Sequence, residues 1–155
     1  MTGMPPLVPD PQTLATLVSN VTQTMCGFSF SPTSGDPPPP EVCWRLVSLS
    51  IGGARPLRVV LSSSQRGCIA LGSALFAVPP AELDAEMIDD SLRELLNMAA
   101  GQIKGALAID QALGLPKVLT EPDLSVRAAD ALKQGVLLRS EDDLGLLIWI
   151  SEDAT

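Results

Sequence analysis

The chain contains no histidine. That single absence excludes Ser-His-Asp and Cys-His catalysis, histidine-ligated metals and phosphohistidine relays. It has no tyrosine either, and its aromatic residues are Phe28, Phe30, Phe76, Trp44 and Trp149. So few rings leave no stacking platform for single-stranded nucleic acid. Positive charge is scarce: 10 Lys and Arg stand against 18 Asp and Glu, for a net charge of −8. A phosphate backbone would be repelled, so nucleic acid is set aside as a partner. The first forty residues hold no Lys or Arg, which argues against a secretory or transit peptide. The longest apolar run, Ile69 to Val78, is too short for a bilayer and is interrupted by Gly72 and Ser73; no membrane is expected. Cysteine is sparse and odd in number. Cys26, Cys43 and Cys68 stand apart among apolar neighbours with no CxxC pair, which reads as reduced, buried thiols in a cytoplasmic protein and as no metal site.

What is present is aliphatic. Apolar residues make up 46% of 155 residues, enough for the core of one domain. Residues 1–11 carry Pro5, Pro6, Pro9 and Pro11 and read as a flexible lead-in to a single domain over residues 12–153. Leu14, Leu17, Val18, Val21 and Met25 repeat at steps of three and four. They predict a helix from Gln12 that Gly27 ends. Residues 31–40 are rich in proline and predict an extended connector. Val42 to Ile51 and Leu57 to Leu61, joined by Gly52-Gly53, predict a hairpin. Ser62 with Gln65 predicts a capped helix through Phe76, and Pro79-Pro80 breaks it. Leu115 to Leu119 predicts a short extended segment. Val136 to Arg139 and Leu144 to Ile150 predict two strands around an acidic turn. The last strand is apolar at nearly every position, which fits either a sheet covered on both faces or a dimer interface. The expected fold is α+β: a mostly antiparallel sheet with three helices packed on it.

The segment between them is the most informative. Residues 83–110 predict one long helix closed near Gly114, with Glu82, Asp84, Glu86, Asp89 and Asp90 loading its first turns against the helix dipole. Leu92, Leu95, Leu96, Ala99, Ile103 and Leu107 share one face. Asp90, Glu94, Asn97, Gly101 and Lys104 share the opposite one, at steps of four, three, four and three. A merely solvated face would favour Glu, Lys and Gln. A mid-helix glycine costs roughly 1 kcal/mol against alanine. A carboxylate, an amide one turn later and then a glycine describe a surface that something must approach.

These residues resemble a known family. Glu94-Leu-Leu-Asn97-Met98-Ala-Ala-Gly101-Gln-Ile-Lys104 is similar to the signature helix of the CheX-like chemotaxis phosphatases, which include CheC and FliY. Asp90, Glu94 and Asn97 fill its acidic, Glu and Asn positions, and Pro116 is the best match to the family's downstream proline. Met25-Cys-Gly27-Phe resembles the end of the family's first helix. The resemblance implies a hydrolase that removes the aspartyl phosphate of a CheY-like response regulator in two-component signalling. On it, Asn97 orients the attacking water and Glu94 docks to the receiver's lysine. Gly101 leaves room for the partner's loops and Asp90 helps orient the docking face. It implies no cofactor of the chain's own, Mg²⁺ supplied by the receiver, and a homodimer. A non-catalytic receiver-binding module of the same fold is the alternative. A flagellar switch subunit is a third reading.

Overall fold

The computed structural model describes residues 9–152 apart from Ser34, Asp36, Ala54 and Asp110. Most of the expected lead-in, residues 1–8, lies outside the described residues. Asp10 and Pro11 do not continue it: Pro11 opens the first helix, α1 (Pro11–Cys26), and the Asp10 carboxylate accepts from Thr13 N at 2.8 Å as its N-cap. Gly27 closes α1 with φ +80°, where a side chain would be strained.

Among the described residues, six strands form one antiparallel sheet: β1 (Phe30–Pro32), β2 (Arg45–Ile51), β3 (Leu57–Ser63), β4 (Lys117–Val118), β5 (Val136–Ser140) and β6 (Gly145–Glu152), in the order β1-β5-β6-β3-β2-β4. The expected hairpin is β2–β3, paired from Arg45↔Ser63 to Ile51↔Leu57. Its first strand begins at Arg45 rather than Val42. Pro39 and Pro40 fix φ for a single 3₁₀ turn, Pro40–Cys43, ahead of it.

Strand periodicity sorts the core into two layers. Val47, Leu49, Ile51, Val59, Leu61, Leu146, Ile148 and Ile150 face α1, α2 (Gln65–Phe76) and α3 (Ala85–Ala106). Leu46, Val60, Leu147 and Trp149 face the other way, onto α4 (Asp123–Gln134) and the turn before β2. The described residues therefore form four α-helices, three on one face of the sheet and one on the other, where three were expected. The apolar character of β6 is accounted for within one chain, since every residue from Gly145 to Ile150 is buried.

Two helix ends differ from expectation. Ser64, not Ser62, caps α2, accepting from Gly67 N at 3.1 Å. Ser62 and Ser63 belong to β3 and are fully buried, and the Ser63 hydroxyl donates to Gly145 O at 2.5 Å. At the other end, α3 stops at Ala106 instead of near Gly114. Leu107 N and Ile109 N donate back to Ile103 O and Lys104 O, and Ala108 takes the left-handed turn at φ +55°. Gly114 is used against β2: its N–H donates to Ser50 O at 2.6 Å, and a Cβ there would meet that oxygen at 3.0 Å.

The three thiols are free, and their burial follows the sequence reading in part. Cys68 is buried, while Cys26 and Cys43 are half-buried. Burial pushes the Cys68 thiol from 9.0 up to about 12 and that of Cys26 to about 11. A thiol whose folded pKa is raised favours the fold while it stays protonated. The Cys68 contribution is thus whole below its ordinary value of 9.0 and is lost as pH rises toward about 12. We expect Cys68 to resist alkylation at pH 8 in the native protein and to react once urea unfolds it. Rapid labelling of native Cys68 would show that α2 does not stay packed on the sheet.

Candidate functional site

Helix α3 starts from a built cap. The Asp84 carboxylate accepts from Met87 N at 2.8 Å, and Glu86 adds charge to the first turn. Asp89 is turned to the sheet, pairing with Arg45 Nε of β2 at 3.1 Å. The Arg45 guanidinium lies 4.6 Å from the centre of the Trp44 ring. Of the acidic cluster, two members therefore anchor the helix: Asp84 at its end and Asp89 at its side.

Below this anchor the two faces separate cleanly. Ile88, Leu92, Leu95, Leu96, Ala99, Ala100 and Ile103 are buried between the sheet and the neighbouring helices. Leu107, expected with them, is half-buried at the helix end, and Met98 packs at the edge of the core. Asp90, Glu94, Asn97 and Gly101 are all exposed, and Lys104 is half-buried. Twenty-two helical residues hold this register, so the exposed four are displayed by a rigid scaffold rather than by a loop.

The display is convex and open. A Cβ built on Gly101 or Gly105 would meet nothing within 4 Å. The side chains of Glu94 and Asn97 make no hydrogen bond or ion pair with any described residue, whereas Asp90 accepts from Arg93 Nη1 at 2.5 Å. A cleft of about 550 Å³ beside Trp44, Arg66 and Arg139 lies elsewhere and touches none of the four. Among the described residues, no group of three His, Cys, Asp or Glu side chains could hold a metal ion. A convex helix face cannot enclose a small molecule. It is open to contact by another macromolecule.

Comparison with known proteins fits that geometry. The sequence model of the family described as Chemotaxis phosphatase CheX matches residues 46–138, more than half of the chain, and the matched span contains all of α3. The chain belongs to the CheX family. Solved CheX structures share its fold throughout. The chemotaxis protein CheX of Vibrio vulnificus is 16% identical with a TM-score of 0.66, over 97% of this chain and 100% of that one. CheX in the CheX–CheY–BeF₃–Mg²⁺ complex of Borrelia burgdorferi is 15% identical with a TM-score of 0.65, over 89% and 94%. CheX of Desulfovibrio desulfuricans is 15% identical with a TM-score of 0.63, over 90% and 96%. No curated protein matches the chain.

In this CheX-family chain the α3 face carries the four residues that the sequence singled out. They fall into two groups. Glu94, Asn97 and Gly101 are open to a visitor, while Asp90 already has a partner in Arg93. Pro116 stands directly before β4, which is the edge strand beside β2. Arg93 was passed over in the sequence because it lies at the border of the apolar and polar faces. Its signal was the spacing: three residues after Asp90 and one turn before Asn97.

Proposed function

We propose that this chain hydrolyses the aspartyl phosphate of a CheY-like response regulator. One observation carries the reading. In a chain of the CheX phosphatase family, a carboxylate and an amide, Glu94 and Asn97, stand one turn apart, exposed and unengaged on a rigid convex helix.

An aspartyl phosphate is an activated mixed anhydride. Its hydrolysis mainly needs a water held in line with the phosphorus–oxygen bond, so catalysis is largely positioning. The receiver's own Mg²⁺ and lysine bear on the phosphoryl oxygens. The Asn97 carboxamide oxygen accepts a hydrogen from the attacking water and fixes it. Being uncharged, the amide does so without setting an anion against an anion. Glu94, on the same face, pairs with the receiver lysine and docks the helix. Gly101 offers no side chain to collide with the receiver's loops. The water's proton leaves to solvent or to phosphate as phosphate and the free aspartate separate.

The test is phosphate release from an aspartyl-phosphorylated receiver with Mg²⁺, with and without this chain. Acceleration supports the reading. Phosphorylation-dependent binding without acceleration indicates a docking module instead. Glu94→Ala should weaken receiver binding at least tenfold, about 1.4 kcal/mol, as measured by titration calorimetry. An unchanged Kd would remove Glu94 from the docking contact.

A further inference from the structure

Helix α3 and its cap are acidic: Asp84, Glu86, Asp89, Asp90 and Glu94 stand against only two cations, Arg93 and Lys104. A phosphoryl group carries about −1.5 to −2 charge, and a helix of that charge meets like-charge repulsion from the oxygens that the receiver's Mg²⁺ and lysine leave open. Arg93 is the cation placed to oppose it. At about 100° per residue, with Asn97 at the origin, Glu94 lies about 60° to one side and Arg93 about 40° to the other. Helical side chains lean toward the N-terminus, so the Asn97 amide projects over the turn that carries Arg93 and Glu94. The amide is thus flanked by one cation and one anion.

The cation is held in place. Arg93 Nη1 donates to Asp90 Oδ1 at 2.5 Å, with the two side chains 39% and 53% exposed. The bond uses one of five N–H donors of a planar guanidinium and leaves the others for an acceptor from outside. Asp89 next to it is spent on Arg45, so among the described residues Asp90 is the partner that orients Arg93.

We infer that Arg93 is a docking residue for the phosphorylated receiver, oriented by Asp90, and that it binds anionic oxygens presented around the receiver's phosphoaspartate. Asp90 acts through Arg93 as a positioning residue. The inference rests on the receiver reading given above and adds to it the group that lets an acidic helix tolerate an anionic target.

The experiment measures Kd for a CheY-like receiver activated with BeF₃⁻ and Mg²⁺, at two salt concentrations, and KM and kcat for phosphate release. Arg93→Gln should raise Kd and KM about tenfold or more and flatten the salt dependence, with kcat changed less than twofold. Arg93→Lys should recover part of the loss, since the charge returns without the fork. Asp90→Asn should give a smaller loss than Arg93→Gln. Lys133→Gln, an equal charge change on the exposed face of α4, should match wild type. Circular dichroism and Tm of each variant control for folding. Wild-type affinity in Arg93→Gln overturns the assignment, as does a fall in kcat with KM unchanged. A loss in Asp90→Asn that exceeds the loss in Arg93→Gln would give the contact to Asp90 itself. If wild type does not bind the activated receiver, the receiver reading falls and this assignment falls with it.

Discussion

Asn97→Ala should reduce stimulated phosphate release by about 100-fold or more, the scale of a lost positioning contact, while Tm holds or rises. The two halves of that result have different origins. Asn97 is exposed in the middle of α3 and has no polar partner among the described residues. Alanine is the better helix former there, by up to roughly 0.7 kcal/mol, so the fold has nothing to lose. On the proposed mechanism the reaction loses its water-orienting group. On the proposed reading, a side chain that costs the helix stability and gives it no contact serves something outside the helix, and the paired measurement tests that statement. Normal release from a phosphorylated receiver by Asn97→Ala would remove the amide from the mechanism. A fall in Tm of several degrees would instead place Asn97 in the structure.

Leu96→Ala should do the reverse. Leu96 neighbours Asn97 in sequence but is fully buried between α3 and the sheet. Truncating a leucine in such a site costs about 3 kcal/mol through lost transfer energy and the cavity left behind. For a domain of this size that is a fall in Tm of roughly 10 °C. Below the lowered Tm the exposed face of α3 is untouched, and on the proposed reading phosphate release per folded molecule should stay near wild type. A Tm within about 2 °C of wild type would mean that the α3 underside repacks freely, contrary to the close packing of protein interiors. On the proposed reading, adjacent residues divide the helix between function at 97 and stability at 96.

Sequence periodicity made α3 legible because the helix is long. Over 22 residues, buried and exposed positions separate far beyond chance, and the polar residues on the open face stand out as poor helix formers. The short elements were not legible. Helix α4 offers the sheet Leu124, Ala128, Ala131 and Leu132, and with two alanines among them the apolar stripe carries little signal. Strand β1 is three residues ending in Pro32, and nothing within it outweighs the prolines that follow. It becomes a strand because β5 offers an edge, pairing Phe30↔Ser140 through Pro32↔Leu138. The sequence alone does not place the cap of α2, because three serines in a row are equally good caps locally. The register of β3, which buries Ser62 and Ser63, decides among them. At the site, Asp90 was legible as a member of the face, but its bond to Arg93 depends on a rotamer that spacing does not specify.

The sheet order has a consequence for the birth of the protein on the ribosome. β6 sits in the middle of the sheet between β5 and β3, pairing Leu57↔Glu152 through Ser63↔Leu146, yet it is translated well after α3. Until residue 145 and those beyond it emerge, a nascent chain holds β3 with an open edge and the aliphatic underside of α3 with half a sheet to rest on. A translation product cut short ahead of β6 is therefore an aggregation-prone fragment. Helix α3 has a complete sheet to rest on only in a chain read through to its central strand.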